Sequence, residues 1–391
     1  MKGFGSWICF YAILVAGSPA FAQSWIPTTA PTNYWWSIAS SADGTRLVAL
    51  IGGTPYAKAI YTSTNSGAYW TSNSVPSVEW WSVASSADGT KLIAAASYGG
   101  IFTSTNSGAA WVSNNVPAYL WFAVASSSDG AKLVAAAGGG QVPGPIYTST
   151  NAGTTWVSNN VPNDHWESVA SSADGTRLAA IAVVDYYTTT NSGSTWVSNS
   201  LPSVNWSAIA SSADGTRLVA AAIIAGSHRI LTSTNSGATW LTNDAPVDRL
   251  TSVASSADAV KLAAVQQDRI WVSTNSGVTW VSNNVSGFWH AVASSADGAK
   301  WAVANGSPGG IWMSQTTPAP KLNLVPSGAH LTASWIIPSA GFTLQQNPDL
   351  TTTNWAAVTN PPALNMTNLQ YQLDLLSYKG AGFYRLSSPG P

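Results

Sequence analysis

The sequence is short of cysteine and short of charge. Its 391 residues include a single cysteine, Cys9, which excludes an intramolecular disulfide framework. Charged residues make up 8% of the chain, against about 25% in ordinary globular proteins, and the formal net charge is −1. That balance leaves no basic field for nucleic acid and no polybasic segment for an anionic membrane surface. No apolar run is long enough to cross a bilayer as a helix, so no membrane insertion is expected. The 4 histidines are scattered without metal-ligand spacing, and neither a metal nor another cofactor is expected.

The N-terminus reads as a secretion signal over 1–22. Lys2 supplies the positive end, Trp7 to Ala16 the apolar stretch, and Ala20-Phe21-Ala22 the small-residue cleavage pattern, so the mature chain is expected to start at Gln23. Cys9 falls inside this segment. The exported protein is therefore expected to have no thiol and to be a soluble monomer, periplasmic or extracellular, stabilised by packing alone.

Tryptophan, by contrast, occurs 21 times, and the polar surface must be built from Ser, Thr, Asn and Gly. Internal repetition dominates. A Ser-Ser-Ala-Asp-Gly-like turn recurs with its aspartate at Asp43, Asp88, Asp129, Asp174, Asp214, Asp258 and Asp297, at intervals of 39–45 residues. A second element, Ser/Thr-x-Asn-x-Gly-x-x-Trp, ends at Trp70, Trp111, Trp156, Trp196, Trp240 and Trp280. One repeat reads as four short strands: Trp81–Ser85, Lys91–Ala95, Ile101–Ser104 and Trp111–Ser113. Tight turns at Asp88-Gly89 and Asn106-Ser107-Gly108 separate the members of each pair. Four strands every ~40–45 residues is the period of a propeller blade.

The ends predict how the ring closes. Trp25 precedes Trp36 by the same 11 residues that separate Trp70 from Trp81, so Trp25-Ile26-Pro27 reads as a fourth strand without a repeat of its own. The last repeat, Trp289 to Ser314, has only three strands. The expectation is an all-β, seven-bladed propeller over 23–317, closed by the N-terminal strand, which removes exposed sheet edges. Beyond the Thr316–Pro320 linker the repeat stops. Short strands at Leu322–Leu324, Leu331–Trp335, Phe342–Gln345, Trp355–Val358, Tyr371–Leu375 and Phe383–Leu386 predict a small β-sandwich over 318–391.

The six Ser/Thr-x-Asn-x-Gly-x-x-Trp elements resemble the Asp-box, or BNR, repeat, and the resemblance covers 24–317. Propellers of that family include sialidases, sortilin-type receptor domains, plant-cell-wall glycosidases and photosystem assembly factors. The resemblance implies that the box is a structural turn at the blade rim. The boxed residue here is always Asn, whose side chain is expected to bond the backbone two residues on. The C-terminal module resembles modules appended to secreted bacterial proteins.

Both regular turns belong to one face, so the variable loops share the other, which is the expected binding face. Eight residues before each turn aspartate stand Trp35, Trp80, Trp121, Trp166, Trp206, Leu250 and Trp289, read as inter-blade packing. The next residue diverges: Trp36, Trp81, Phe122, Glu167, Ser207, Thr251 and His290. Alternation along a strand gives this set the opposite orientation. Trp36, Trp81, Phe122, Glu167, His290, Arg249 and Arg269 are the candidate ligand-binding residues of a funnel with an aromatic wall and a polar wall. Such a surface suits a glycan or an extracellular protein partner.

The reading favours a secreted, non-catalytic binding protein for carbohydrate or a protein partner. A glycosidase or lyase is the alternative, with Asp164, Glu167 and Asp185 on one repeat as candidate catalytic carboxylates. A scaffold or assembly factor is a third class. A sialidase fits poorly. Arg46, Arg177 and Arg217 fill the turn-flanking position held elsewhere by Lys91, Lys132, Lys261 and Lys300, and Glu79 and Glu167 are the only glutamates.

Overall fold

A computed structural model describes residues 24–52, 58–139, 142–201, 204–243, 248–283, 285–315, 322–327, 330–336, 343–349, 352, 354–365, 370–376 and 383–387. The expected secretion signal at 1–22 and the linker at 316–320 lie outside the described residues. Among the described residues every regular element is a β-strand. One compact unit spans Gln23–Gln315, and a second holds the chain that follows.

The second repeat shows how sequence becomes sheet. Its strands are Trp80–Ser85, Leu92–Ala96, Gly100–Ser104 and Val112–Ser113, hydrogen-bonded in chain order. These bounds shift the expected ones by a residue: Trp80 joins the first strand, Lys91 leaves the second, and Trp111 belongs to the turn before the fourth. The described part of Gln23–Gln315 forms seven four-stranded antiparallel sheets. In the last of them, Ser24–Pro27 is the outer strand, with Trp25 opposite Ser314 and Ile26 opposite Met313. First strands of successive repeats are neighbours, and Trp35–Ser40 neighbours both Trp80–Ser85 and Trp289–Ser294, so the circuit closes about an axis as in a propeller.

Blades that converge on an axis need small or flat side chains near it. The second strands, such as Leu92-Ile93-Ala94-Ala95-Ala96 and Leu133-Val134-Ala135-Ala136-Ala137, are buried along their whole length. They lose water on both faces, which explains continuous apolar runs in place of alternation. Alanine on these second strands lets neighbouring sheets approach. At the start of the first strands, the large set fills the gap between sheets: Trp35, Trp80, Trp121, Trp166 and Trp289 are fully buried. Each meets an aromatic edge, as Trp80 does with Phe102 at 5.2 Å and Trp121 with Tyr147 at 5.4 Å. The packing role expected of this set is what the structure gives it.

The turn aspartates close the first hairpin of each repeat. Asp88 Oδ1 accepts from the Ser86 hydroxyl at 2.6 Å and from the Thr90 amide at 2.9 Å. The alanine or serine before each aspartate bonds to its counterpart in the next repeat. Amides of Ala42, Ala87, Ser128, Ala173, Ala213, Ala257 and Ala296 each donate to the next carbonyl at 2.7–2.8 Å, and Ala296 returns to Ala42. The Asn turns differ from the sequence expectation. Asn106 Oδ1 accepts from the amide of Ala110, four residues on rather than two, at 2.8 Å, and from the Ser104 hydroxyl at 2.9 Å. Ser107 as well as Gly108 adopts a left-handed conformation, with φ of 58° and 87°. Ala259, which stands where other repeats have the turn glycine, has φ 52°.

In the second unit, one sheet holds Asn323–Ser327, His330–Ile336, Gln370–Leu376 and Ala363–Asn365, and another holds Ala356–Ala357, Thr343–Asn347 and Phe383–Ser387. Ala363–Asn365 is a strand that the sequence did not suggest. Trp335 and Leu373 from one sheet and Leu344 from the other share a single buried cluster.

Two outcomes follow for the turns. Hydrogen bonds from Ser41, Ser86, Ser172 and Ser212, then from the amide and hydroxyl two residues on, hold Asp43, Asp88, Asp174 and Asp214 at about 2, below the usual 3.8. Their stabilising contribution is present above the unfolded value and lost as the pH falls through the folded one. The melting temperature should drop between about pH 4 and about pH 2; a flat profile there would exclude a stabilising role for these turns. Separately, Ala259→Gly should stabilise by up to about 1 kcal/mol in urea unfolding, because glycine removes the left-handed strain.

Candidate functional site

The diverging set stands at the start of the first strands, on the face of the variable loops. In every repeat the strand register slips around this residue, between Trp35 and Ser37, Trp80 and Ser82, Trp121 and Ala123, and onward to Trp289 and Ala291. Trp36, Trp81, Phe122, Glu167, Ser207, Thr251 and His290 are thus bulge residues. Simple alternation does not place them: the bulge does, by adding a residue the partner strand cannot pair. Because the seven strands surround the axis, the seven bulges form an axial ring, and all seven side chains are half-buried.

Four members of this ring touch one another. Trp36 and Trp81 meet edge to face at 5.1 Å, Trp81 and Phe122 lie tilted at 4.8 Å, and Trp36 packs on the His290 imidazole at 4.0 Å. The arc His290–Trp36–Trp81–Phe122 therefore joins four repeats. Glycines at the ends of second strands make room for it. A Cβ at Gly52 would lie 2.8 Å from the Trp36 Cβ, and one at Gly306 would lie 2.8 Å from that of His290. These glycines and the bulge were missed in the sequence; the divergence after each residue of the repeated Trp35-to-Trp289 set was the only signal.

The polar members spend their donors on the backbone. Ser207 donates to the Ala221 carbonyl at 3.1 Å, and Thr251 Oγ1 lies 3.1 Å from the Val265 carbonyl and 3.0 Å from that of Trp289. His290 Nδ1 lies 2.8 Å from the Trp36 carbonyl. A carbonyl only accepts, so Nδ1 carries the proton; burial holds the imidazole pKa below its ordinary value, only partly offset by that bond. The neutral ring then leaves Nε2 as an acceptor. Glu167 is the one carboxylate of the set. Among the described residues it has no hydrogen bond and no ion pair; burial raises its pKa, with the nearby His165 acting the other way.

The other expected residues lie elsewhere. Asp164 and Asp185 both act on the Tyr187 hydroxyl, whose pKa is raised first by burial. Asp164 Oδ1 accepts the His165 amide proton at 2.8 Å. Among the described residues no hydrogen bond joins any two of Asp164, Glu167 and Asp185; Asp164 and Asp185 bear on the Tyr187 hydroxyl, and Glu167 is a member of the ring. Arg249 is exposed with φ 44°, and Arg269 is exposed and 3.7 Å from Asp268. Among the described residues neither has a ring residue as a partner. Between them sits Gln266, buried and unremarked in the sequence. Its Oε1 accepts from the Trp271 indole at 3.0 Å and the Asp248 amide at 3.1 Å, and its Nε2 donates to Asp268 at 2.7 Å. Gln266 fixes the loops that carry both arginines.

Clefts on the turn side recur at equivalent residues, around Arg177, Thr188, Gly215 and Ser236 in one place and Arg46, Thr62, Gly89 and Ser107 in another. A feature repeated between blades is a product of the repeat, whereas the axial ring holds six residue types at seven positions.

No family model matches the chain, and no curated protein matches it. Solved structures with the same fold do exist. YCF48 bound to D1 peptide shares 14% identity at a TM-score of 0.57, over 76% of this chain and 97% of that one. Hydrazine synthase of Kuenenia stuttgartiensis gives 14% and 0.60, over 75% and 97%. The β-propeller domain of Cps50 (Swd1) from Myceliophteria thermophila gives 13% and 0.59, over 75% and 100%. At these identities the likeness establishes a β-propeller and nothing finer.

The two aromatic sets should separate on substitution. Trp35→Ala removes a fully buried ring and should cost about 3–5 kcal/mol in urea unfolding followed by circular dichroism. Trp36→Ala, half-buried at the ring, should cost about half of that or less and keep the native spectrum. Equal losses would place Trp36 in the core.

Proposed function

We propose that this chain is a seven-bladed propeller of the Asp-box type, closed by its N-terminal strand, that works as a non-catalytic binding protein. A partner docks on the axial ring of the variable face. The observation that carries this reading is the arc His290–Trp36–Trp81–Phe122, which exposes part of four contacting rings, with the next ring position held by Glu167, a carboxylate that has no hydrogen bond or ion pair among the described residues. Half-buried aromatic faces are costly in water and gain from coverage, and they supply large contact area at small entropic cost.

A protein segment is the favoured ligand class. A propeller with the same fold has been solved bound to a peptide, which supports a polypeptide as an occupant. The export signal read over 1–22 belongs to the same proposal and puts the encounter in the periplasm or outside the cell, with 318–391 as an appended module. A polysaccharide-cleaving role would need two carboxylates placed across one substrate. The ring itself carries a single carboxylate, Glu167, which favours binding over that chemistry.

Screening the purified chain on peptide and glycan arrays tests the reading. Binding should appear and should fall at least about tenfold in Trp36→Ala and Trp81→Ala, as for removal of aromatic anchors, with circular dichroism unchanged. Reducing-end or unsaturated products from a polysaccharide panel would overturn the non-catalytic reading. Silence on both arrays would overturn the axial ring as a docking site.

A further inference from the structure

We infer that the axial ring receives an organic cation, the ammonium or guanidinium end of a lysine or arginine side chain on a partner polypeptide. The inference rests on the docking role proposed above and names what that site selects.

The argument is an inventory of unspent bonding capacity. The Ser207 and Thr251 hydroxyls donate to backbone carbonyls, and the His290 Nδ1 proton goes to Trp36. The Trp81 indole nitrogen is buried without a partner and is sealed from an incoming ligand. Among the described residues the Trp36 indole N–H is the one ring donor neither bonded nor sealed, whereas the open acceptors are the Glu167 carboxylate and the second nitrogen of His290. The faces of Trp36, Trp81 and Phe122 add negative π density. No lysine or arginine occupies any of the seven positions. Arg269 on the neighbouring loops is already beside Asp268 at 3.7 Å.

Each ligand class meets this inventory differently. An anion finds one indole N–H, that of Trp36, and faces the Glu167 carboxylate. A sugar hydroxyl must give and receive hydrogen bonds, and the ring's hydroxyl donors are committed. A cation finds both of its natural partners at once. Phe122 and Glu167 hold successive positions of the circuit, so a cationic group at that junction lies over an aromatic face while a carboxylate neutralises it. Burial already penalises the charge on Glu167, and a bound cation relieves that penalty.

The test uses the whole mature chain and fluorescent Gly/Ser peptides that carry one central Lys, Arg, norleucine or Glu, read by fluorescence polarisation. Lys and Arg peptides should bind, and norleucine and Glu peptides should not. Glu167→Gln should weaken the Lys and Arg peptides about tenfold, with Glu167→Asp retaining more binding than Gln, and Trp36→Ala should also weaken them about tenfold. Free arginine methyl ester should compete only weakly if the site reads a side chain within a polypeptide; competition as strong as the peptide's would overturn the polypeptide source. Equal binding of the norleucine or Glu peptide, or an unchanged Glu167→Gln variant with native circular dichroism, overturns the cation. If no basic peptide binds but a glycan does so through Trp36, the docking site stands and the cation falls. If no ligand depends on Trp36, both fall.

Discussion

Closure around the axis is the constraint on which everything else rests. Each four-stranded sheet buries its faces only against its neighbours, so no sheet is complete until the last has met the first. Two connections achieve this. Ser24–Pro27 pairs with Ile311–Gln315 at the rim, and the Ala296 amide bonds the Ala42 carbonyl at 2.7 Å beside the axis. The second connection completes a cycle in which every member both donates and accepts. A break anywhere leaves an amide and a carbonyl without partners in a partly desolvated place, which costs about 1–3 kcal/mol per group. The alanine-rich second strands follow from the same geometry, since small side chains let converging sheets approach on both faces.

This geometry separates uniform positions from variable ones. On the turn face, Ser, Asp and Thr repeat with nearly the same hydrogen bonds, and the tryptophans behind the turns repeat with the same packing. Identical residues are what a closed cycle needs, because each must satisfy the next. On the opposite face the bulge lifts one residue per repeat out of the pairing scheme. Its identity is then free of the ladder, and the seven residues there are Trp, Trp, Phe, Glu, Ser, Thr and His. A fold that must be uniform to close thus carries its variety where the ladder is interrupted.

The division between what the sequence revealed and what it hid follows from range. Period, hairpin turns and the closing strand are local or periodic signals, and Trp25 at the spacing of Trp70 was enough to find the closure. The buried tryptophan set was legible for the same reason. The bulge was not, because it is a mismatch between two strands and neither strand alone contains it. The arc of rings was not, because His290 and Trp36 are distant in sequence and meet only when the circuit closes. The reach of the boxed asparagine to the fourth residue depends on two successive left-handed residues, of which only the glycine announces itself. Arg249 and Arg269 share the variable face with the ring, but Gln266 holds their loops, and glutamine gives no sign of such a role in sequence.

Scarcity of charge gives Glu167 its weight. In a chain with ordinary charge content, a half-buried glutamate would find a lysine or arginine nearby, and its ion pair would add little. Here the turn aspartates are held by hydrogen bonds from serines and backbone amides, so they need no cations, and four of the eight lysines, Lys91, Lys132, Lys261 and Lys300, stand beside the turns. Glu167 is left on the other face with only His165 for electrostatic company. Glutamine would fill the same volume without the penalty of a desolvated charge. A position that bears that penalty next to an open aromatic surface has its balancing charge outside the molecule, and the ring is where that charge would arrive.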